Sequence, residues 1–597
     1  MLPLMKTNVT FYERAIRGFG GINVCEDHKN GELYMSENMT SLLYPSLSSR
    51  KDRKEIFRTE RTINGIGGFE GFFYTSHTDD GKRIFLTFNG VDYEFTSLSA
   101  SDDFTKKREF AALTNTILII PDNVIFSATN KTLTKASFSY TQDTATAKKK
   151  FKTETNGMNT IENETIDRIA TLESGRIYAK RRDYTYSGTK TFYYCKFPDT
   201  LKKGDVIELK ANVYASSHDG DDGYYDFIAG FYKGLKLKIK DVKTVSHSTP
   251  SGTVKEIVEL VFDTGAINMS KYQSLNVVDF TINRTMPKLS HICSFGNRVW
   301  GIGGKYIYAS KLSDASEWND FTVDEYGTLP YASFSSAAQT DGNFTAITPY
   351  GNYIYAFKEN AIHKIFGDNP DEYTLHTEKC RGVGDDMAGC LSVSASSIIY
   401  ASSDGIYVYR GDYPKKISEN IGVLPRVISG AASEEFYYIL CSDENTKFLY
   451  VYDIARHIWH KESAPSDSTM LYCYGNKVCL AAGGTLLCLN EDGGKPEKGI
   501  KWNFSLLIDD KLIEKKGYGK ISLKYSLDKN ASFTVRAIYD DGGKGAVCGA
   551  RYDEADGASA SLFLPVKRCN WFKLEFSGVG GFILKAVNLK FYRGSDI

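Results

Sequence analysis

The sequence predicts an all-β chain. It reads as a β-propeller of about six to eight blades, with an inserted small β-barrel or sandwich and a C-terminal β-sandwich. Three observations carry this. Helical periodicity is missing: the best candidate, near residues 159–173, is short and polar. Runs of four to seven apolar and aromatic residues recur instead, bounded by turn pairs such as Asp80-Gly81, Asn89-Gly90, Asp404-Gly405 and Gly483-Gly484. The triplet Ile-Tyr-Ala begins at Ile307, Ile354 and Ile399, spacings of 47 and 45 residues. That period suits one four-stranded propeller blade, which cannot bury both faces unless neighbours stack on it. Unrelated hairpins in stacked sandwiches are the alternative.

Residues 1–60 read as an extended segment. Residues 61–171 form the first propeller part, with Gly71-Phe-Phe-Tyr74, Ile84-Phe-Leu-Thr-Phe88, Thr116-Ile-Leu-Ile-Ile120 and Val124-Ile-Phe126 as strands. Within it, residues 137–163 are rich in Thr, Lys and Asn, include the run Lys148–Lys152, and read as a long mobile loop. Across 172–287 the blade rhythm stops. Gly204-Asp-Val-Ile-Glu-Leu209, Leu235-Lys-Leu-Lys-Ile-Lys240 and Ile257-Val-Glu-Leu-Val-Phe262 suggest a separate inserted β-domain, placed where little backbone pairing is lost. The rhythm resumes over 288–499, where Tyr350-Gly-Asn-Tyr353 and Tyr474-Gly-Asn476 each lead into a strand. Residues 500–597 carry long alternating strands, such as Phe533-Thr-Val-Arg-Ala-Ile-Tyr539 and Trp571-Phe-Lys-Leu-Glu-Phe576, as in a jelly-roll-like sandwich.

The 597 residues carry 73 basic and 73 acidic side chains, so the bulk charge of a nucleic-acid binder is missing. No apolar run is long enough for a membrane span. The opening residues lack the order of a signal peptide, from which cytosolic synthesis without an export route is expected. Eleven dispersed cysteines, with no Cys-x-x-Cys pair, read as reduced and mostly buried thiols.

Catalysis finds little foothold. A glycosidase needs two carboxylates at a set separation. The acidic pairs Asp102-Asp103, Asp385-Asp386 and Glu434-Glu435 all lie in turn-like segments. Ser402-Ser-Asp404-Gly405 misses the sialidase box, its Gly one place early. His218-Asp-Gly-Asp-Asp-Gly223 lacks the alternate ligands and distal Glu of a calcium loop. His457 and His460 flank Trp459; three apart on a strand, they face opposite sides. The Gly-rich stretch 296–304 reads as a hairpin, and Lys148–Lys152 as a solvated run that could touch phosphates. The expectation is no catalytic residue, no metal ligand, no cofactor and an unknown ligand site.

Several short motifs, in order, resemble phage virion proteins of the tail-nozzle (tail tubular) propeller type, as in phages of gut Firmicutes. They are Phe19-Gly-Gly-Ile-Asn23, Asn38-Met39 and Leu47-Ser-Ser-Arg50 at the start. Asn297-Arg-Val-Trp-Gly301 with Ile307-Tyr-Ala-Ser-Lys311, and Asp404-Gly-Ile-Tyr-Val-Tyr-Arg-Gly411 with Ile417-Ser418, fall in the blades. Arg568-Cys-Asn-Trp-Phe572, Gly578 and Gly594-Ser-Asp close the chain. The resemblance touches residues 11–50, 290–460 and 565–597. It implies a non-enzymatic structural component of the tail or neck of a virion: a homo-oligomeric ring beside other tail, portal or adaptor proteins. Genomic DNA would pass through that ring without specific binding. A tail or baseplate adhesin for cell-surface glycans, a propeller glycan hydrolase and a bacterial propeller scaffold are the alternatives.

Overall fold

Hairpin follows hairpin along nearly the whole chain in the computed structural model. It describes residues 11–593 apart from 26, 96–102, 143–147, 154–158, 165–169, 174–175, 180–183, 187–188, 195–200, 210–212, 217–224, 228–235, 250–251, 263–273, 278–279, 322–326, 445, 492–498, 510–514, 542–545, 553–554 and 564–567. Among these the only helices are two 3-10 turns, Ala388–Cys390 and Glu419–Ile421. The fold is all-β and propeller-like.

Seven antiparallel four-stranded sheets share one pattern. Sheet I holds Thr62–Gly68, Phe72–His77, Ile84–Phe88 and Val91–Glu94; sheet II holds Glu109–Leu113, Thr116–Ile120, Val124–Ser127 and Thr132–Lys135. Sheet III holds His291–Phe295, Arg298–Gly303, Tyr306–Ala309 and Phe334–Ala337; sheet IV holds Ala346–Tyr350, Tyr353–Lys358, Ala361–Phe366 and Thr374–Glu378. Sheet V holds Ser392–Ser394, Ser397–Ser402, Gly405–Tyr409 and Lys415–Lys416; sheet VI holds Arg426–Ala432, Phe436–Ser442, Lys447–Asp453 and Ile458–Ser463. Sheet VII takes Ser468–Tyr474, Lys477–Ala482 and Thr485–Cys488, and is completed by Lys54–Arg58 from the other end of the chain.

The first strands of successive sheets touch in a closed cycle, VII back to I. Each neighbouring pair has its own apolar filling: Phe88 with Phe126 between I and II, Ile120 with Val299 between II and III, and Ile307 with Ile354 between III and IV. Phe357 meets Tyr400, Ile399 meets Ile439, Leu440 meets Leu480, and Leu486 meets Ile66 around the remaining joints. Both faces of an inner strand are therefore buried, so Ile398, Ile399, Tyr400 and Ala401 are all inaccessible and the strands read as apolar runs rather than alternating ones. The Ile-Tyr-Ala triplets share this rhythm but not a register. Ile307 lies on the third strand of its sheet, whereas Ile354 and Ile399 lie on second strands.

Two segments differ from the sequence expectation. Within the expected extended segment 1–60, the described residues of 11–60 pack into other modules. The described strands Phe11–Ile16, Leu33–Glu37, Met39–Thr40 and Leu47–Ser49 pair into the two C-terminal sheets. Ile16, Leu33, Met39 and Leu47 of these strands, with Phe19 from the connection after the first, join Trp502, Phe504, Phe533, Phe576 and Phe582 in one core. Such pairing depends on partners some 500 residues away, so no local pattern announces it. The run Lys148–Lys152 is also not a loop. It lies on strand Lys148–Thr153, between Asn159–Glu164 and Thr189–Tyr194.

The insertion opens with strand Phe138–Gln142 and closes with Phe280–Arg284, which pair so that Phe138 faces Arg284. Chain entry and exit thus lie side by side at one edge of a ten-stranded sheet, where Phe280–Arg284 also pairs with Val206–Leu209, and the insertion starts earlier than the expected 172. Arg284 grips Asp205 through two bonds of 2.7 and 3.1 Å inside the insertion. Lys202 reaches Asp314 of the ring at 2.7 Å, and Gly204 leaves no room for a Cβ beside the Glu317 carboxylate. Replacing 138–284 by a short Gly-Ser bridge is expected to leave a soluble ring with a cooperative thermal transition. Replacing 172–287 instead removes the partner of Phe138–Gln142, and that variant is expected to aggregate or be rapidly proteolysed at 138–171.

Candidate functional site

Two places concentrate polar side chains: the joint between ring and sandwich, and the ring's axis.

At the joint, the last strand of sheet VI, Ile458–Ser463, is an edge whose outward backbone groups need partners. The N-terminal segment supplies them. Ile22 N–H donates to Trp459 O (2.7 Å) and Asn38 N–H to Lys461 O (2.8 Å). The ladder then continues through a side chain: Asn38 Oδ1 accepts from Ser463 N–H (2.9 Å), Ser463 Oγ (3.0 Å) and Arg50 Nε (3.1 Å). Its Nδ2 donates to Lys501 O, at the first strand of the sandwich (2.8 Å). Asn38 has φ of +58°, a conformation that Asn tolerates better than most residues. Gly21 is obligatory for a different reason: a Cβ there would lie 2.4 Å from Trp459 N. Ser41 Oγ donates to Asp453 (2.7 Å), and Arg53 pairs with Glu462 (2.9 Å), both largely shielded from water.

On the axis, Glu109 Oε1 meets His291 Nδ1 at 2.7 Å, joining sheets II and III. Burial lowers the His291 pKa, but the Glu109 hydrogen bond and charge, helped by Asp386, raise it overall. Lys107, just before sheet II, donates to Ile428 O of sheet VI at 3.4 Å. Sheets II and VI lie on opposite sides of the cycle, so one lysine side chain crosses the ring's opening. Lost hydration first, then Arg426 and Lys447, pull its pKa down. The loop carrying Lys107 is wrapped on the guanidinium of Arg108. That group binds Asp122 through two bonds (3.0 and 3.1 Å) and the carbonyls of Asp103, Phe104 and Lys106.

The residues weighed for catalysis are scattered. Asp102 lies outside the described residues, and Asp103 caps the exposed turn at Thr105. Asp385-Asp386 and Glu434-Glu435 are exposed turn residues. Asp404 accepts from Tyr407 OH (2.8 Å) and pairs with Arg381. His457 is exposed at a turn and bonded to Tyr452 OH (2.7 Å), whereas His460 is fully buried. In the stretch 296–304, Gly296 and Asn297, both at positive φ, form the hairpin turn that joins His291–Phe295 to Arg298–Gly303, and Gly304 begins the next turn. Residues 218–223 lie outside the described residues. Among the described residues no group of three or more His, Cys, Asp or Glu is placed to hold a metal ion, and no helix is long and apolar enough to cross a membrane. The nine described cysteines are free thiols; only Cys25 is exposed. Chemistry-bearing residue types do not point to the joint, although its Gly21, Asn23, Asn38 and Arg50 stand in the N-terminal motifs.

No protein-family model matches the chain, and no curated protein matches it. Among solved structures it is similar to the extracellular domain of BT4673, a one-component system of B. thetaiotaomicron, at 9% identity over 94% of this chain and 97% of that one, TM-score 0.24. It is also similar to apo AztD from Citrobacter koseri, at 9% identity over 73% and 99%, TM-score 0.20. A third is a structure of infectious bursal disease virus Gt strain, at 8% identity over 77% and 70%, TM-score 0.13. At such TM-scores these likenesses carry no argument about function.

Two outcomes are expected. Gly21→Ala forces the N-terminal segment off Trp459, and Asn38→Ala removes four side-chain bonds and a favourable left-handed residue. Each should cost about 2–4 kcal/mol, seen as a lower thermal midpoint and new protease cleavage between residues 17 and 60. His460 has no hydrogen-bond partner on either ring nitrogen, and burial pulls its pKa down to about 4 from 6.5. His363, also buried, falls likewise to about 4. In this window the unfolded chain binds protons that the folded ring refuses. The contribution of these two histidines is therefore complete above pH 6.5 and lost as pH falls toward 4, by about 3 kcal/mol for each. Urea unfolding of His460→Gln should show a shallower acid decline than the wild type.

Proposed function

We propose that this protein is a structural, non-enzymatic component of a phage tail or neck, acting as a homo-oligomeric ring beside other tail, portal or adaptor proteins around the path of the genome. We also read its seven-sheet cycle as a seven-bladed β-propeller. The observation that supports the proposal is how the residues of the motifs that resemble tail-nozzle proteins are used. Gly21 and Asn38 bind the edge of sheet VI, and Arg50 braces Asn38. Arg298 is buried and donates to Ser310 O (2.8 Å), Pro330 O (2.7 Å) and Ala332 O, Ser418 Oγ accepts from Ile406 N–H, and Cys569 and Phe572 sit in the sandwich core. Gly21, Asn38 and Arg50 join the N-terminal segment, ring and sandwich, and the others brace sheet III, sheet V and the sandwich from within, roles suited to a part under mechanical load. The DNA path in this reading runs between copies, because Lys107 bars the axis of a single chain.

Electron microscopy of particles containing an epitope-tagged copy is expected to show the tag in a closed ring at the tail or neck. Tag at a fibre tip, or protein recovered only outside particles, would overturn the reading. Purified protein is expected to leave peptidoglycan, capsule and nucleic acid uncut; turnover abolished by one Asp or Glu substitution would make it a hydrolase.

A further inference from the structure

A groove of about 820 Å³ opens between the sandwich and the ring. Its floor is the outer face of the sandwich sheet built from Leu33–Glu37, Lys501–Asp509, Trp571–Val579, Ser532–Tyr539 and Ala546–Tyr552. Strand register places four polar residues in one row across that floor: Glu37 opposite Asn503, Asn503 opposite Ser577, and Ser577 opposite Thr534. Their chain neighbours Phe504, Phe533 and Phe576 point the other way, into the core, so the row faces outward. Strands lie about 4.8 Å apart, which makes the row about 14 Å long. Asn38, Arg50 and Ser463 form the wall on the ring side.

We infer that this groove binds a neutral glycan chain, laid across the strands along the row Glu37, Asn503, Ser577 and Thr534. The chemistry is that of hydroxyl recognition. Asn503 Nδ2 donates to Glu37 Oε2 (2.9 Å), while its Oδ1 has no donor. That oxygen is buried; a turn of the amide about its broad terminal torsion, away from Glu37, would bring it to the groove, where a sugar hydroxyl would be the missing donor. Ser577 and Thr534 present hydroxyls that both donate and accept. A β-linked pyranose chain repeats at close to the strand spacing, so successive sugars meet successive side chains. Charge argues against a polyanion: Glu37 offsets Lys501, and Arg50 is buried and bonded to Asn38 and to Lys51 O. Glycan binding by the isolated chain is independent of the virion reading.

The test is calorimetric titration of the full-length protein with cellohexaose, chitohexaose and a poly(glycerol phosphate). Saturable binding of a neutral oligosaccharide is expected, weakened at least tenfold in Asn503→Leu and in Thr534→Val, with the wild-type thermal midpoint retained in Thr534→Val. Ser577→Ala, on an exposed position, serves if Asn503→Leu does not fold. Absence of binding to either neutral oligosaccharide, equal binding by the folded variants, or preference for the polyphosphate would each overturn the assignment.

Discussion

The architecture hangs on Asn38. A propeller-like ring leaves the outermost strand of each sheet with a free edge, and a β-sandwich beside it has no reason to hold one orientation. Asn38 answers both needs with one side chain, which extends the ladder of sheet VI through Ser463 and binds the backbone of Lys501 where the sandwich begins. Its backbone adds the bond to Lys461 O. Buried amides of this kind act through geometry more than through net energy, because each bond replaces one to water. The loss of one leaves several others unmet.

The same economy appears in how the chain ends are used. Residues 11–49 complete the sandwich, and Lys54–Arg58 completes sheet VII. The N-terminus therefore closes two modules whose other strands are made at the far end of the chain. Neither can be finished until nearly the whole chain exists, so contact order is high and formation should be slow. The insertion is the opposite case. Its ends pair with each other at Phe138 and Arg284, and it interrupts no ladder of the ring.

Polar groups away from these joints are spent on shape. Arg108 and Asp122, both without exposed side-chain surface, hold the loop that carries Lys107 across the axis. Breaking such a buried pair is costly while keeping it is near neutral, so it specifies the loop's course. Glu317 is held among Lys202, Lys238 and Gly204 with its pKa raised, first by burial.

The strand runs, the Gly turns and the missing helical period already required an all-β chain, because they follow from local geometry. The blade-sized period was legible too, since each sheet repeats the same hairpins. Its register was not: inner strands are buried on both faces, so apolar runs such as Ile398–Ala401 carry no alternation to align. The turn residues Asp385-Asp386 and Glu434-Glu435 could be read as solvated because turns are local. What the tertiary structure alone decided is everything joined across hundreds of residues. That includes the strand Lys54–Arg58 in sheet VII, the place of Phe19 and Leu33 in the sandwich core, and the row from Glu37 to Thr534. Register between distant strands is set by packing and not by neighbours in sequence, and no pattern within a strand records which strand will lie beside it.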